Sequence, residues 1–349
     1  MIKIGIVGTG ATMSIAHYHA EGYKKDPRCQ VAAVYDINRE AAEKWAAEHG
    51  LSARICGSYE ELLDCCDGVD LCTPNFLHAS QGLAAIRAGK HLLVEKPMAI
   101  TGEECETLAA AAQKSSACAM VGMVYRYAAP VLLARRMVRE EIGPVYTFTA
   151  WAGGKRLANP GVPLEWRMLR GRSGSGALGD FGSHLLDLAD YVAGQRYHQV
   201  TCHLGNFIPE RTGPDGHPQP VENDDAAVLS ASGPGGLGSF TVSRVGLDDI
   251  MLLLAGEGGM LQVSLRVPEQ VTYWEKKRDG GYTGLVKTLD LPPQKHFDDW
   301  FVAETAAFLD GIQGARKDLP DLAQGLYIQR VLDAAQAAHD TGHTQEVLL

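Results

Sequence analysis

The sequence predicts a two-domain α/β protein: a doubly wound parallel sheet first, then a second domain rich in strands. Three observations predict it. A glycine turn, Gly8-Thr9-Gly10, stands between a short apolar run and a helical stretch. Strand and helix patterns alternate from there to about residue 123, the signature of parallel strands joined by crossover helices. Beyond that point β-rich segments dominate until two helical stretches close the chain.

The elements follow in order. Lys3-Ile4-Gly5-Ile6-Val7 reads as a buried strand, and residues 12–25 read as a helix. A strand, a glycine turn and a helix together are the context that a dinucleotide fingerprint requires. The glycines let backbone approach a pyrophosphate, and the helix start supplies donors. The turn and its continuation, Gly8, Thr9, Gly10, Ala11, Thr12 and Met13, are therefore candidate cofactor contacts, with Met13 standing where a third glycine is usual. The second strand, Gln30-Val31-Ala32-Ala33-Val34-Tyr35, ends in Asp36. A carboxylate there hydrogen-bonds an adenosine ribose and repels a 2′-phosphate, so NAD is favoured over NADP. Arg39 lies close enough to join that site, and Asp36 has the competing role of capping the helix that follows. The turn and Asp36 together define a Rossmann half.

A short helix at residues 60–64 precedes the strand Val69-Asp70-Leu71-Cys72-Thr73 and the helix 76–88. Thr73, Pro74 and Asn75 thus sit at a strand end, with His78 on the next helical turn. The apolar run His91-Leu92-Leu93-Val94 leads into Glu95-Lys96-Pro97. Ligands of open α/β sheets bind outside the carboxyl ends of the strands, and a lysine is rarely buried unless paired, so Lys96 reads as functional. Thr101 and Glu104 have capping-box spacing for a helix to about residue 115, and residues 118–122 form the last strand of the half.

In the second domain residues 145–151 are β-rich, and residues 153–172 read as a long functional loop. Strands are expected at 226–231, 239–245, 251–255, 260–265 and 270–274, a proline/glycine loop at 209–220, and helices at 297–312 and 322–339. A helix is expected to start near Asp180 and run to about residue 192. Asp180 and His184, four apart, then share its face, with Asp187 near the same stripe. Glu222, Asp224 and Asp225 read as a solvated cluster at a strand start.

Composition excludes several classes. The 349 residues carry a net charge of −10 without a basic block, which argues against nucleic acid or an anionic membrane as partner. No segment has the apolar length of a membrane span, and the start of the chain does not read as a signal peptide. The eight cysteines show no zinc spacing and read as reduced thiols of a cytoplasmic protein. His17 and His19 have no third ligand spaced for a metal, so no metal site is read.

The chain resembles the glucose–fructose oxidoreductase / inositol dehydrogenase family (Gfo/Idh/MocA). The resemblance rests on Gly8-Thr9-Gly10, Asp36, Thr73-Pro74-Asn75 with His78, Glu95-Lys96-Pro97, Tyr125-Arg126, Trp166-Arg167 and the run from Gly174 through Asp180 and His184 to Asp187. Tyr125 departs from the asparagine that many members carry there. The resemblance implies an NAD-binding Rossmann domain, 1–123, and a substrate-binding and oligomerisation domain, 124–349. The second would hold a largely antiparallel open sheet that makes homodimers or homotetramers, and the last helix could pack back on the first domain.

Oxidising a secondary alcohol needs a hydride acceptor and a base with a pKa near the working pH, for which histidine is the natural choice. His184 is the expected base, Asp180 orients the hydroxyl or the imidazole, and Lys96 donates to the oxygen as charge develops. Glu95, Lys96, Pro97 and Arg126 complete the cofactor set. Tyr125, Lys155, Arg156, Trp166 and Arg167 are candidates for the substrate cleft. The expected activity is NAD-dependent oxidation of a sugar or cyclitol. The rival readings are glycoside cleavage with a retained NAD and a non-catalytic nucleotide sensor.

Overall fold

The structure is a computed structural model, and it describes residues 1–10, 15–268, 270–288 and 296–348. The chain divides into two compact units, residues 1–124 with 294–326, and residues 125–293 with 327–349.

The first unit begins with six strands: β1 (Ile2–Val7), β2 (Cys29–Tyr35), β3 (Arg54–Ile55), β4 (Gly68–Leu71), β5 (His91–Glu95) and β6 (Ala119–Gly122). Five helices connect them: α1 (Ala16–Lys25), α2 (Arg39–Glu48), α3 (Tyr59–Cys65), α4 (Asn75–Arg87) and α5 (Gly102–Gln113). All pairings are parallel, in the order β3-β2-β1-β4-β5-β6. That is the doubly wound dinucleotide-binding order, in which the chain reverses direction across the sheet beside β1. Every residue of β4 is buried, as a strand covered on both faces must be. Thr101 caps α5 by accepting from the Glu104 N–H, and Glu104 returns a bond to the Ile100 N–H.

The second unit holds α6 (Ala129–Met137), continued by one π-helical turn, then β7 (Val145–Gly153) and the short helices α7 (Arg170–Ser173) and α8 (Ala177–Asp180). Helix α9 (Gly182–Ala193) leads to β8 (Gln199–Gly205), the hairpin β9 (Glu210–Thr212) and β10 (Pro218–Pro220), and β11 (Ala226–Gly233) to β16. The remaining strands of that run are β12 (Gly236–Ser243), β13 (Asp249–Gly256), β14 (Gly259–Ser264), β15 (Gln270–Lys276) and β16 (Tyr282–Thr288). The chain returns to the first unit for α10 (His296–Ile312). It leaves again along α11 (Leu322–Thr341) and ends in β17 (Gln345–Glu346). The large sheet has the order β16-β15-β14-β13-β7-β12-β11-β8-β17 and is antiparallel except between β7 and β12.

Three expectations need correction, and one strand went unread. The second domain is not the continuous run 124–349. Phe308 and Leu309 of α10 join Ile4, Tyr23, Leu93 and Met120 in one apolar core, so it is this helix, rather than the last alone, that belongs with the first unit. The proline/glycine loop 209–220 contains the β9–β10 hairpin, whose turn uses Gly216 at φ 80°. The strand β8 went unread because its buried positions are only Val200 and Cys202, too few to show alternation. Asp224 and Asp225 are not solvated. Asp224 accepts the Gly176 and Leu178 N–H groups at 2.7 and 2.8 Å, and Asp225 accepts those of Phe207 and Ile208 and pairs with Arg244. Burial raises the Asp224 pKa, and the two N–H donors oppose that rise.

Candidate functional site

The carboxyl edge of the first sheet gathers the predicted cofactor residues. Gly8 and Gly10 have φ of 86° and 58°, the left-handed region that glycine tolerates. A Cβ on Gly8 would lie 2.7 Å from Thr73 Cγ2 and 2.8 Å from its backbone nitrogen, so the turn exists only because this residue has no side chain. Asp36 locks the turn from the neighbouring strand. Its Oδ2 accepts the Gly10 N–H at 3.1 Å and the Thr9 hydroxyl at 3.2 Å, and its Oδ1 accepts the Asn38 N–H at 2.9 Å. Helix α2 is capped by Asn38 instead, so Asp36 does not serve as that cap. Arg39 is held by Glu43 on the exposed face of α2. Ala11, Thr12 and Met13 lie outside the described residues.

Thr73, Pro74 and Asn75 follow the end of β4, with Pro74 in the N-cap position of α4 and Asn75 as its first residue. The buried His78 ring bridges two strand ends: Nε2 lies 2.7 Å from the Thr73 carbonyl and Nδ1 2.9 Å from that of Pro97. Both ring nitrogens are therefore taken up within the protein. The ring thus braces the two strand ends from beneath the edge, and burial lowers its pKa. Glu95 is also turned inward. Its Oε2 accepts the Lys96 N–H at 3.2 Å and its Oε1 lies 3.4 Å from His19 Nε2, so its carboxylate, too, braces rather than presents. The half-buried Lys96 follows at the end of β5, before a cis bond to Pro97.

The second unit gathers its own set. The chain breaks helix at Phe181, so Asp180 ends α8 and His184 sits in the first turn of α9. Asp180 and His184 thus belong to two helices rather than one face of a single helix. His184 is buried, with its ring edge-on to Tyr125 at 4.3 Å between centroids. Arg126 and Asp187 form a buried two-pronged pair, Nε to Oδ2 at 2.7 Å and Nη2 to Oδ1 at 2.5 Å, with the guanidinium also over the Tyr191 ring. The pair gives Arg126 a structural role within this unit. Lys155 pairs with Asp248 at the surface, Arg156 with Glu165, and Arg167 stacks over Trp166 at 4.4 Å.

A second cluster was not visible in the sequence. Inside the first unit His19 meets Asp70, Glu95 and Glu304, which approach it from β4, β5 and α10. His17, by contrast, contacts His49 at 2.7 Å. Spacing could not find the cluster, because its members are far apart in the chain.

Comparison with known proteins agrees with both units. Residues 2–123 match the oxidoreductase family with the NAD-binding Rossmann fold, and residues 131–262 match the GFO/IDH/MocA C-terminal domain. Levoglucosan dehydrogenase of Pseudarthrobacter phenanthrenivorans is 33% identical over 270 residues, which span 70% of this chain and 67% of that protein. Glucose-6-phosphate 3-dehydrogenase of Bacillus subtilis is 34% identical over 194 residues, covering 55% of this chain and only 54% of that protein. Among solved structures, an oxidoreductase domain protein from Kribbella flavida superposes with a TM-score of 0.92 at 29% identity, covering 100% of this chain and 99% of that one. Levoglucosan dehydrogenase in complex with NADH gives 0.91 at 25%, covering 99% of each. The chain belongs to the GFO/IDH/MocA family. It is an oxidoreductase with that family's NAD-binding domain.

Removing the Arg126 guanidinium leaves Asp187 charged and buried. Arg126→Ala should therefore destabilise the protein by about 3–5 kcal/mol, read as a lower urea midpoint with an unchanged slope. A midpoint equal to that of the wild type would mean the pair does not hold the second unit.

Proposed function

We propose that this chain transfers a hydride between a secondary hydroxyl of a sugar, sugar derivative or cyclitol and the nicotinamide of NAD. Family membership across both units supports the reading, together with Lys96, Asp180 and His184 among the residues that carry the sequence resemblance. In it, His184 takes the hydroxyl proton, Asp180 orients the hydroxyl or the imidazole, and Lys96 donates to the oxygen as it gains charge. Tyr125, edge-on to His184, keeps the imidazole from turning. Trp166, Arg167 and Lys155 are the proposed sugar contacts. Asp36 disfavours a 2′-phosphate, and Arg39, held by Glu43, offers that phosphate little, so NAD is preferred over NADP.

The relatives' names support a ring-form carbohydrate: levoglucosan, glucose 6-phosphate and inositol are the substrates in the names of the enzymes this chain resembles. Purified protein should reduce NAD, and NADP much less, when offered hexoses, anhydrosugars or inositols. Glycoside cleavage without net reduction would favour the retained-cofactor alternative. In His184→Ala, kcat should fall by roughly a hundred- to ten-thousand-fold while the NAD dissociation constant stays within about twofold. A wild-type kcat would remove His184 from the mechanism.

The partner proposed for the large sheet is a second copy of the chain. One face exposes Val228, Leu237, Met251 and Leu253 on β11, β12 and β13, with β7 lying between the last two strands. Large apolar side chains exposed together on one face of an open sheet suit such a contact. Leu253→Arg should shift the protein toward monomer in sedimentation. An unchanged sedimentation coefficient, or a wild type already monomeric, would refute the assignment.

A further inference from the structure

The His19 cluster lies in the first unit and takes no part in the proposed hydride transfer. His19, Asp70 and Glu304 are fully buried and Glu95 nearly so. Asp70 grips the Nδ1 side of the ring at 2.8 and 3.0 Å while also accepting from the Tyr23 hydroxyl at 2.9 Å and facing the Cys72 thiol at 3.3 Å. On the other side, Nε2 faces Glu95 Oε1 at 3.4 Å and Glu304 Oε2 at 3.6 Å. Nε2 and both Glu304 oxygens have no hydrogen-bond partner within the usual distance. Space for the Glu95 carboxylate comes from Gly122, where a Cβ would lie 2.5 Å from Oε1. Helix α10 approaches α1 closely at Gly22, where a Cβ would meet Thr305 Oγ1 at 2.3 Å, and so delivers Glu304.

Three carboxylates facing one imidazole cannot all ionise in a buried site. A doubly protonated ring still leaves two negative charges, and uncompensated buried charge costs several kcal/mol per ion. We propose that this cluster is a buried proton-holding site: His19 is doubly protonated, its Nδ1–H bound by Asp70, and one further proton is held by the Glu304 carboxyl beside Nε2. The unpartnered atoms are those that such protons would satisfy. The titratable groups facing Glu304 are His19 from α1, Asp70 from β4 and Glu95 from β5, while Tyr23 and Cys72 face Asp70 on the far side of the ring.

Burial raises the Glu304 pKa from its ordinary 4.5 to about 7, the His19 interaction opposing. For His19, burial alone would lower the pKa, and Asp70 overcomes it and raises it. Both shifts have one sign for stability. A raised folded pKa contributes stability that is complete below the unfolded value and is lost as pH rises to the folded one.

Glu304→Gln tests this, since the amide matches the protonated carboxyl in size and charge. Two readouts need no substrate, so they stand even if the dehydrogenase reading fails. Difference infrared spectra near pH 6 should show a protonated-carboxyl band in the wild type that the variant lacks. Across pH 4.5 to about 7 the unfolding equilibrium constant of the wild type, relative to the variant, should climb by up to about tenfold per pH unit, then level off. Parallel stability curves, or no band difference, would overturn the proposal. So would a stoichiometric divalent cation that purifies with the wild type and is lost in Glu304→Gln, because a metal would then hold these carboxylates in place of protons.

Discussion

Parallel pairing forces the six strands of the first sheet to end on one edge, and the placement of the described cofactor candidates of that unit follows from it. Residues from β1, β2, β4 and β5 need no other device to meet there. What makes the edge a site is the close approach of Gly8 to the Thr73 backbone, together with the Asp36 carboxylate that draws in the Gly10 N–H. Each carboxylate oxygen accepts more than one bond, so Asp36 brings the turn into place and keeps capacity for a ribose. Behind the edge, His78 and Glu95 hold the strand ends in position from inside.

The second unit solves a different problem. Helix α9 is buried along most of its length, polar residues included. Those residues are acceptable only with partners, and Arg126 supplies one for Asp187. The same logic recurs at Asp225 with Arg244 and at Asp224 with the N–H groups at the start of α8. Buried charge thus fixes the backbone on both sides of the Asp180–His184 segment. That is the preorganisation the proposed acid–base pair would need.

Much of this was legible in the sequence, for identifiable reasons. The doubly wound half announced itself because its strands are continuous apolar runs and its turn is marked by glycine. The order of motifs, more than any one of them, carried the family. Residue types alone did not show direction. Glu95 and His78 stand in the right motifs but face inward, and only coordinates reveal that. The break at Phe181 has no proline to signal it. The solvated reading of Asp224 and Asp225 failed because their partners, Gly176, Leu178 and Arg244, come from other segments. The His19 cluster is the extreme case: Glu304 arrives on a helix that the chain adds to the first unit only after completing most of the second.

The most direct test of the account is isotopic. The protein would be given NAD and a reactive sugar or cyclitol deuterated at the carbinol carbon, and the reduced nicotinamide would be weighed by mass spectrometry. The account predicts one deuterium per molecule of reduced cofactor, carried directly from carbon. Reduced cofactor without deuterium would show that the hydride does not come from that carbon, and would contradict the central claim.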